Sequence, residues 1–246
     1  IRTPLNSILS LVQLLSYAEL EEEQRDDLQT LESCVHALRQ ILNDVLDLSK
    51  IEAGKLMLNK QPFSLRGSVD TVMAQFRGAF REKALDVALE FADQIPERLY
   101  GDSARIEQVL INLISNAVKF TPARGRISVR VQLLATTHNS VEISLQVQDS
   151  GPGIPPDKQA RLFRAFDQGD AAVFGEHGGT GLGLFICARL TALMNGRLSL
   201  TSELGKGTSF SVKLPLSFAK RSANAAEDCA ELAGAPALSR VRVLLV

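Results

Sequence analysis

Hydrophobic positions recur at helical spacing over the first fifty residues. Ile1, Leu5, Ile8, Val12 and Leu15 step by four and three, and Leu28, Leu31, Val35, Leu38, Leu42 and Val45 step by three and four. That is the seam spacing of packed helices. Cys34, Ile41 and Leu48 form a second stripe, one heptad apart. Two stripes on one helix call for two sets of neighbours, as in a four-helix bundle. The pattern therefore predicts a helical hairpin over residues 1–54, closed by Gly54, with the acidic stretch from Glu19 to Asp27 as a turn and solvated helix start. A second copy of the chain would complete the bundle as a homodimer. A hairpin docked on the rest of its own chain is the alternative.

The period then changes. Alternating Leu56 and Leu58 predict a short strand over Lys55–Asn59, followed by a helix from Leu65 to Lys83 and a strand from Asp86 to Phe91. Pro96 and Gly101 punctuate a loop. Asp102 or Ser103 can N-cap a helix running to Lys119, whose apolar face is Ile106, Val109, Leu110, Leu113, Ile114 and Ala117. Runs from Arg126 to Ala135 and Val141 to Asp149 read as a β-hairpin. Residues 150–180 are rich in Gly, Pro, Asp and Ala, and a loop that long inside a compact domain is usually functional. A helix from Leu182 to Met194 and strands Arg197–Ser202 and Thr208–Leu216 follow. The expectation is an α+β layer with a mostly antiparallel sheet over 55–218. Ala-rich residues 219–239 read as a linker, and 240–246 as the first strand of a further domain.

Composition narrows the class. The chain has 246 residues, 45% hydrophobic and 22% charged, with a formal net charge of −1. Those values exclude a disordered or collagen-like chain and argue against nucleic acid recognised through overall basicity. Cys34, Cys187 and Cys229 are too scattered for a disulfide framework or a Cys-rich zinc site, and fit a reducing compartment. No apolar run is long enough to span a bilayer. The opening Ile1-Arg2-Thr3-Pro4 and the apolar end Val243–Val246 read as cut ends of a longer chain.

Four clusters can carry chemistry. Asn112, Asn116 and Lys119 share one helix face. An amide oxygen can ligate hydrated Mg²⁺ when phosphates supply the other ligands, and Lys119 can neutralise a phosphate; an exposed polar face is the plain alternative. Asp149-Ser-Gly151-Pro-Gly153-Ile154 puts a carboxylate at a strand end, able to accept from an exocyclic amine such as that of adenine. By itself this is also an ordinary Asp-Gly turn. Gly179, Thr180, Gly181, Leu182 and Gly183 open a helix with bare amides suited to polyphosphate, or form a hinge. Gly205-Lys206-Gly207-Thr208 is most simply a hairpin turn.

Taken in order, these clusters resemble the ATP-binding catalytic domain of sensor histidine kinases, within the wider gyrase, heat-shock-protein-90 and mismatch-repair ATPase superfamily. Asn112–Lys119 resembles the N box, Asp149–Gly153 the G1 box, Leu162–Phe166 the F box, Gly179–Gly183 the G2 box and Gly205–Thr208 the G3 box. The resemblance implies a Bergerat-type α/β sandwich that binds ATP and Mg²⁺. Asn116 would be the metal ligand, Asn112 and Lys119 would serve the nucleotide, and Asp149 would read adenine. Gly151, Gly153, Ile154, Gly179–Gly183 and Thr208 would complete the nucleotide site, and Phe163 and Phe166 would pack on a lid. The two phenylalanines are equally readable as core aromatics at helical spacing.

Ile1-Arg2-Thr3-Pro4-Leu5-Asn6 is similar to the tail of the family motif H-E-I-R-T-P-L-N, and Leu46–Gly54 to the end of its second helix. The phosphoacceptor His would then immediately precede this stretch, in the position before the Glu. His36, His138 and His177 all lack its context. Thr3 would occupy a position linked to dephosphorylation of a receiver aspartate, or simply cap a helix before Pro4. Val241–Val246 is similar to the opening strand of a receiver domain, implying a hybrid kinase whose partners are that receiver or a separate response regulator. The segment itself would be cytoplasmic, its parent attached to a bacterial inner membrane through other parts. Two further readings are a clamp-type ATPase and a kinase-derived module that binds another kinase through its bundle.

Overall fold

Two helices open the chain as their periodicity requires. The computed structural model describes residues 2–15, 21–159, 161–163 and 181–218. Helix α1 (Arg2–Leu15) packs against α2 (Glu22–Glu52), which has 31 residues and so extends roughly 46 Å. Gln24 Oε1 accepts from the Glu21 amide at the α2 start (3.2 Å). At its end, Ala53 N bonds Ser49 O (3.1 Å) and Lys55 N bonds Lys50 O (2.9 Å), with Gly54 at the turn as read from the sequence. Val12 and Val35 are buried within the hairpin, but the stripe residues Ile8, Leu15 and Leu38 are 44%, 52% and 54% exposed, as are their neighbours Leu11 (59%) and Leu14 (66%). One chain therefore covers its own stripes only in part.

The far end of α2 runs onto a second unit, built on a seven-stranded sheet. Its strands are β1 (Gln61–Phe63), β2 (Asp86–Phe91), β3 (Leu99–Gly101), β4 (Arg126–Thr136), β5 (Ser140–Asp149), β6 (Arg197–Glu203) and β7 (Gly207–Phe218). The order is β1-β3-β7-β5-β4-β2, with β6 beside β7, and every pair is antiparallel except β2–β4. Over it lie α3 (Leu65–Gln75), α5 (Ser103–Phe120) and α7 (Gly183–Leu193), with α5 between the other two; α4 (Arg77–Glu82) and α6 (Pro156–Gln159) are short. All six apolar-face residues of α5 are 3% exposed or less. They form one core with Ile127, Val129, Ile143, Leu145, Val212 and Leu214 of the sheet. The opposite sheet face is polar, with Gln146 Nε2 donating to Ser209 Oγ at 2.8 Å. This is the expected α+β, two-layer α/β sandwich.

Three local readings change, and one of two alternatives is decided. Residues 55–60 form no strand: Leu56 is buried, but the Asn59 amide donates to the Asp102 carboxylate (2.8 Å) rather than to a ladder, and pairing begins at Gln61. The helix expected over 65–83 divides at Phe76, whose ring stacks on Phe80 (6.1 Å). The punctuated loop contains β3, a three-residue strand too short to show a period. The α5 cap is Asp102, which accepts from the Arg105 amide at 3.2 Å. Residues 219–246, with the linker and receiver-strand readings, lie outside the described residues.

The hairpin and the sandwich are joined by packing and by charge. Leu48 belongs to the sandwich core, and the mostly buried Asp47 accepts from Arg105 Nη1 and Gln108 Nε2, both at 2.9 Å. Arg105 Nη1 also donates to Gln108 Oε1 (2.7 Å), so the three side chains orient one another.

Candidate functional site

One helix carries a continuous polar stripe. Arg105, Gln108, Asn112, Asn116 and Lys119 recur at three and four residues along α5, opposite its buried face. The first two hold the hairpin, and the last three are the residues singled out from sequence. Asn112 Nδ2 donates to the carbonyl of Gly183 (3.3 Å), the first residue of α7, so the amide touches the end of the glycine run. Asn116 is half-buried, and its amide has no partner among the described residues. Burial holds the Lys119 ammonium below its ordinary pKa, and it lies over the Phe120 ring at 5.0 Å. Gly181 and Leu182 lead into α7, with Leu182 fully buried and its carbonyl accepting from Ile186 N (2.8 Å).

The other wall is the end of β5. Asp149 Oδ1 accepts from the amides of Gly151 (2.8 Å) and Thr208 (3.3 Å), and Oδ2 has no partner among the described residues. Burial pushes the Asp149 carboxyl above the ordinary range, and those two amide bonds pull it back. Thr208 stands opposite Asp149 in the β5–β7 register, so the turn between β6 and β7 supplies a donor to the carboxylate. Gly207, at φ +106°, passes so close to the Asp149 carbonyl that a Cβ would collide with it. Gly153, at φ +73°, abuts the Glu203 carbonyl in the same way. The Ile154 amide donates to Ser202 Oγ (2.8 Å), which donates onward to Gly207 O (2.9 Å). The loop after Asp149 is thus sewn to the β6–β7 turn.

The two walls meet at the end of α5. A Cβ on Gly151 would lie 2.9 Å from the Phe120 carbonyl and 2.8 Å from Asp149 Oδ1. The Asp149 carboxylate therefore stands beside the turn that carries Lys119, one turn beyond Asn116. Phe163 is half-buried against the core. Gly179, Thr180, Phe166 and His177 lie outside the described residues. Thr3 falls within α1 and His36 within α2, and His138 is at the exposed β4–β5 tip.

The sequence reading missed several neighbours. Cys187 on α7 is fully buried, and its thiol is pushed up to about 12, first by burial and then by the charge of Asp44; a hydrogen bond with Asn112 opposes both. Asp44, only 3% exposed, lies on α2, so the hairpin reaches the underside of the Asn112 region. A lone aspartate one turn from Asp47 gives no sequence signal for such a partner. Among the described residues, no three His, Cys, Asp or Glu side chains gather as a metal centre.

The chain resembles known proteins of one family. Residues 101–217 match the model of the histidine kinase-, DNA gyrase B- and HSP90-like ATPases, and residues 1–54 match the His Kinase A phospho-acceptor domain. The chain is 41% identical over 210 residues to the signal transduction histidine-protein kinase BarA of Escherichia coli K12, covering 85% of this chain and 23% of BarA. It is 40% identical over 241 residues to the sensor histidine kinase GacS of Pseudomonas protegens, covering 98% and 25%. Among solved structures, full-length ShkA in complex with AMPPNP superposes with a TM-score of 0.69 at 34% identity, over 89% of this chain and 44% of ShkA. The chain belongs to the sensor histidine kinases and carries their phospho-acceptor hairpin followed by their ATP-binding domain. It spans about a quarter of the length of these curated relatives. No helix among the described residues is long and apolar enough to cross a membrane.

Proposed function

We propose that residues 1–54 and 55–218 are the dimerisation and ATP-binding halves of a two-component kinase core. It binds Mg-ATP and passes the γ-phosphoryl group to a hairpin histidine, and from there to a receiver aspartate. The observation that carries this reading is the meeting of Asn116, Lys119 and Asp149 at one end of α5, with Asn112 touching Gly183. The donor set fits the ligand: an amide oxygen is enough for a hydrated Mg²⁺ whose other ligands are phosphates, and the Asn116 amide has no partner among the described residues. When bound, the metal neutralises charge on the transferred group.

The chain's own residues position the nucleotide. Asp149 Oδ2 accepts from the adenine amine, while Oδ1 is fixed by Gly151 and Thr208. A guanine carbonyl at that point would face a carboxylate and be rejected. Lys119 pairs with phosphate, and the amides of Gly181–Gly183 face the phosphates at the start of α7. Phosphoryl transfer needs positioning more than covalent help. The phosphoacceptor is the histidine that the H-E-I-R-T-P-L-N pattern sets before Ile1, with Thr3 placed for the reverse, phosphatase-type step. The exposed stripes of α1 and α2 pair with those of a second copy, forming a four-helix bundle.

Calorimetric titration with a non-hydrolysable ATP analogue and Mg²⁺ tests the site: wild type binds, GTP analogues do not compete, and Asp149→Asn loses about 10- to 100-fold in affinity. Equal affinity for adenine and guanine nucleotides overturns the reading. Acid-labile phosphate should form on a chain carrying His-Glu before Ile1 and not on this sequence alone.

A further inference from the structure

Helix α5 ends on a cation supplied from elsewhere in the chain. Lys83 lies between α4 and β2, far in sequence from the clusters above. Its Nζ donates to the carbonyls of Val118 (2.7 Å), Lys119 (3.1 Å) and Thr121 (3.3 Å). These oxygens lie at the helix terminus, where carbonyls lack intrahelical donors and the backbone dipole is negative. An ammonium, with three donors and no acceptor, suits three convergent carbonyls. The backbone repeats the link: Arg124 N bonds Lys83 O (2.9 Å) and Asp86 N bonds Gly125 O (2.8 Å). The segment around Lys83 is therefore fastened to the α5 terminus through both main chain and side chain.

That terminus is where the candidate site is assembled. Asn116 and Lys119 project from the last two turns, and the Phe120 carbonyl forms the wall behind Gly151. Asp149 is locked into a ladder between β4 and β7, whereas at this end of the helix Lys83 adds a three-pronged side-chain clamp to the last helical bonds. Thr121 Oγ1 adds a bond to Ala117 O (2.5 Å), which closes the turn but leaves the later carbonyls to Lys83.

We infer that Lys83 is a positioning residue for the nucleotide site: it fixes the last turn of α5, and so sets where Asn116 and Lys119 meet the metal and the phosphates. The inference rests on the function proposed above. It separates the two ends of the nucleotide, since adenine recognition through Asp149 is held by the sheet, and metal and phosphate recognition by a helix end that Lys83 clamps.

The test compares Lys83→Met, Lys83→Arg and Asn116→Ala in the full chain. Calorimetry measures affinity for a non-hydrolysable ATP analogue with and without Mg²⁺, and for adenosine; hydrogen exchange follows the amides of residues 117–121. Lys83→Met should lose about tenfold in affinity for the Mg²⁺-loaded analogue, keep adenosine affinity within about twofold, and exchange faster only over that turn. Lys83→Arg, which still donates to carbonyls, should recover most of the loss. Wild-type Mg²⁺-dependent affinity in Lys83→Met overturns the inference, as does an equal loss for adenosine and the analogue, which would mean a merely structural lysine. If Asn116→Ala leaves the Mg²⁺ dependence unchanged, the underlying reading of the site fails, and the inference with it.

Discussion

In the hairpin, Leu11, Leu14 and Leu38 keep more than half their surface in solvent, whereas on α5 the six residues of the apolar face, Ile106, Val109, Leu110, Leu113, Ile114 and Ala117, are 3% exposed or less. Both helices have apolar residues at three- and four-residue steps. The difference lies in what the chain provides as cover. The sandwich brings its own sheet; the hairpin brings one neighbouring helix and leaves the other sides of its stripes open. Equal patterning thus yields a unit that covers its own apolar face and a unit whose open sides the proposed second copy would cover.

Substitutions can pull this contrast apart. Leu38→Glu should act most strongly, because a two-fold interface meets each change twice. Loss of burial in both copies weakens dimerisation by more than about 100-fold, seen as monomers in sedimentation, with melting of the sandwich unchanged. Leu110→Ala should do the reverse, destabilising the sandwich by about 2–5 kcal/mol in denaturant unfolding while leaving the dimer constant alone. If Leu38→Glu unfolds the sandwich, the two units are not separable in this sense.

Asp47→Asn probes the joint itself. Arg105 and Gln108 lose a shared, mostly buried charge, at about 1–3 kcal/mol. Limited proteolysis should then cut near Gly54 faster, with both units still folded.

The smallest effect is that of pH, and it has two signs. The Asp149 carboxyl is raised by burial, so the folded state takes up its proton more readily than the unfolded chain. The corresponding stability is fully present below the unfolded value and is lost as pH rises through the folded one. Adenine recognition needs the ionised form. Acidification should therefore weaken analogue binding, starting at a higher pH than an exposed carboxylate would allow, without loosening the empty site. Titration calorimetry across pH, with Asp149→Asn as the flat control, reads this directly.

Much of this was legible in the chain. The α5 face was, because a helix repeats its signal over five turns. The pairing of Asp149 with Thr208 was not, although both residues were picked out, because register depends on a partner strand about sixty residues away. Strand β3 escaped because three residues carry no period. Lys83 and Asp47 escaped for another reason: their partners are helix-end carbonyls and an Arg–Gln pair fixed only by tertiary placement.

The shared stripe on α5 also bears on how such modules are exchanged between proteins. Arg105 and Gln108 serve the hairpin, and Asn112, Asn116 and Lys119 face the proposed ligand, all on one uninterrupted rod. A transplanted hairpin that lacks an acid at the place of Asp47 would leave the Arg105 guanidinium without its carboxylate, about two turns from the first amide. Swaps between relatives should succeed when the cut falls beyond α5, and chimeras cut at Gly54 should need Asp47, Arg105 and Gln108 to travel together.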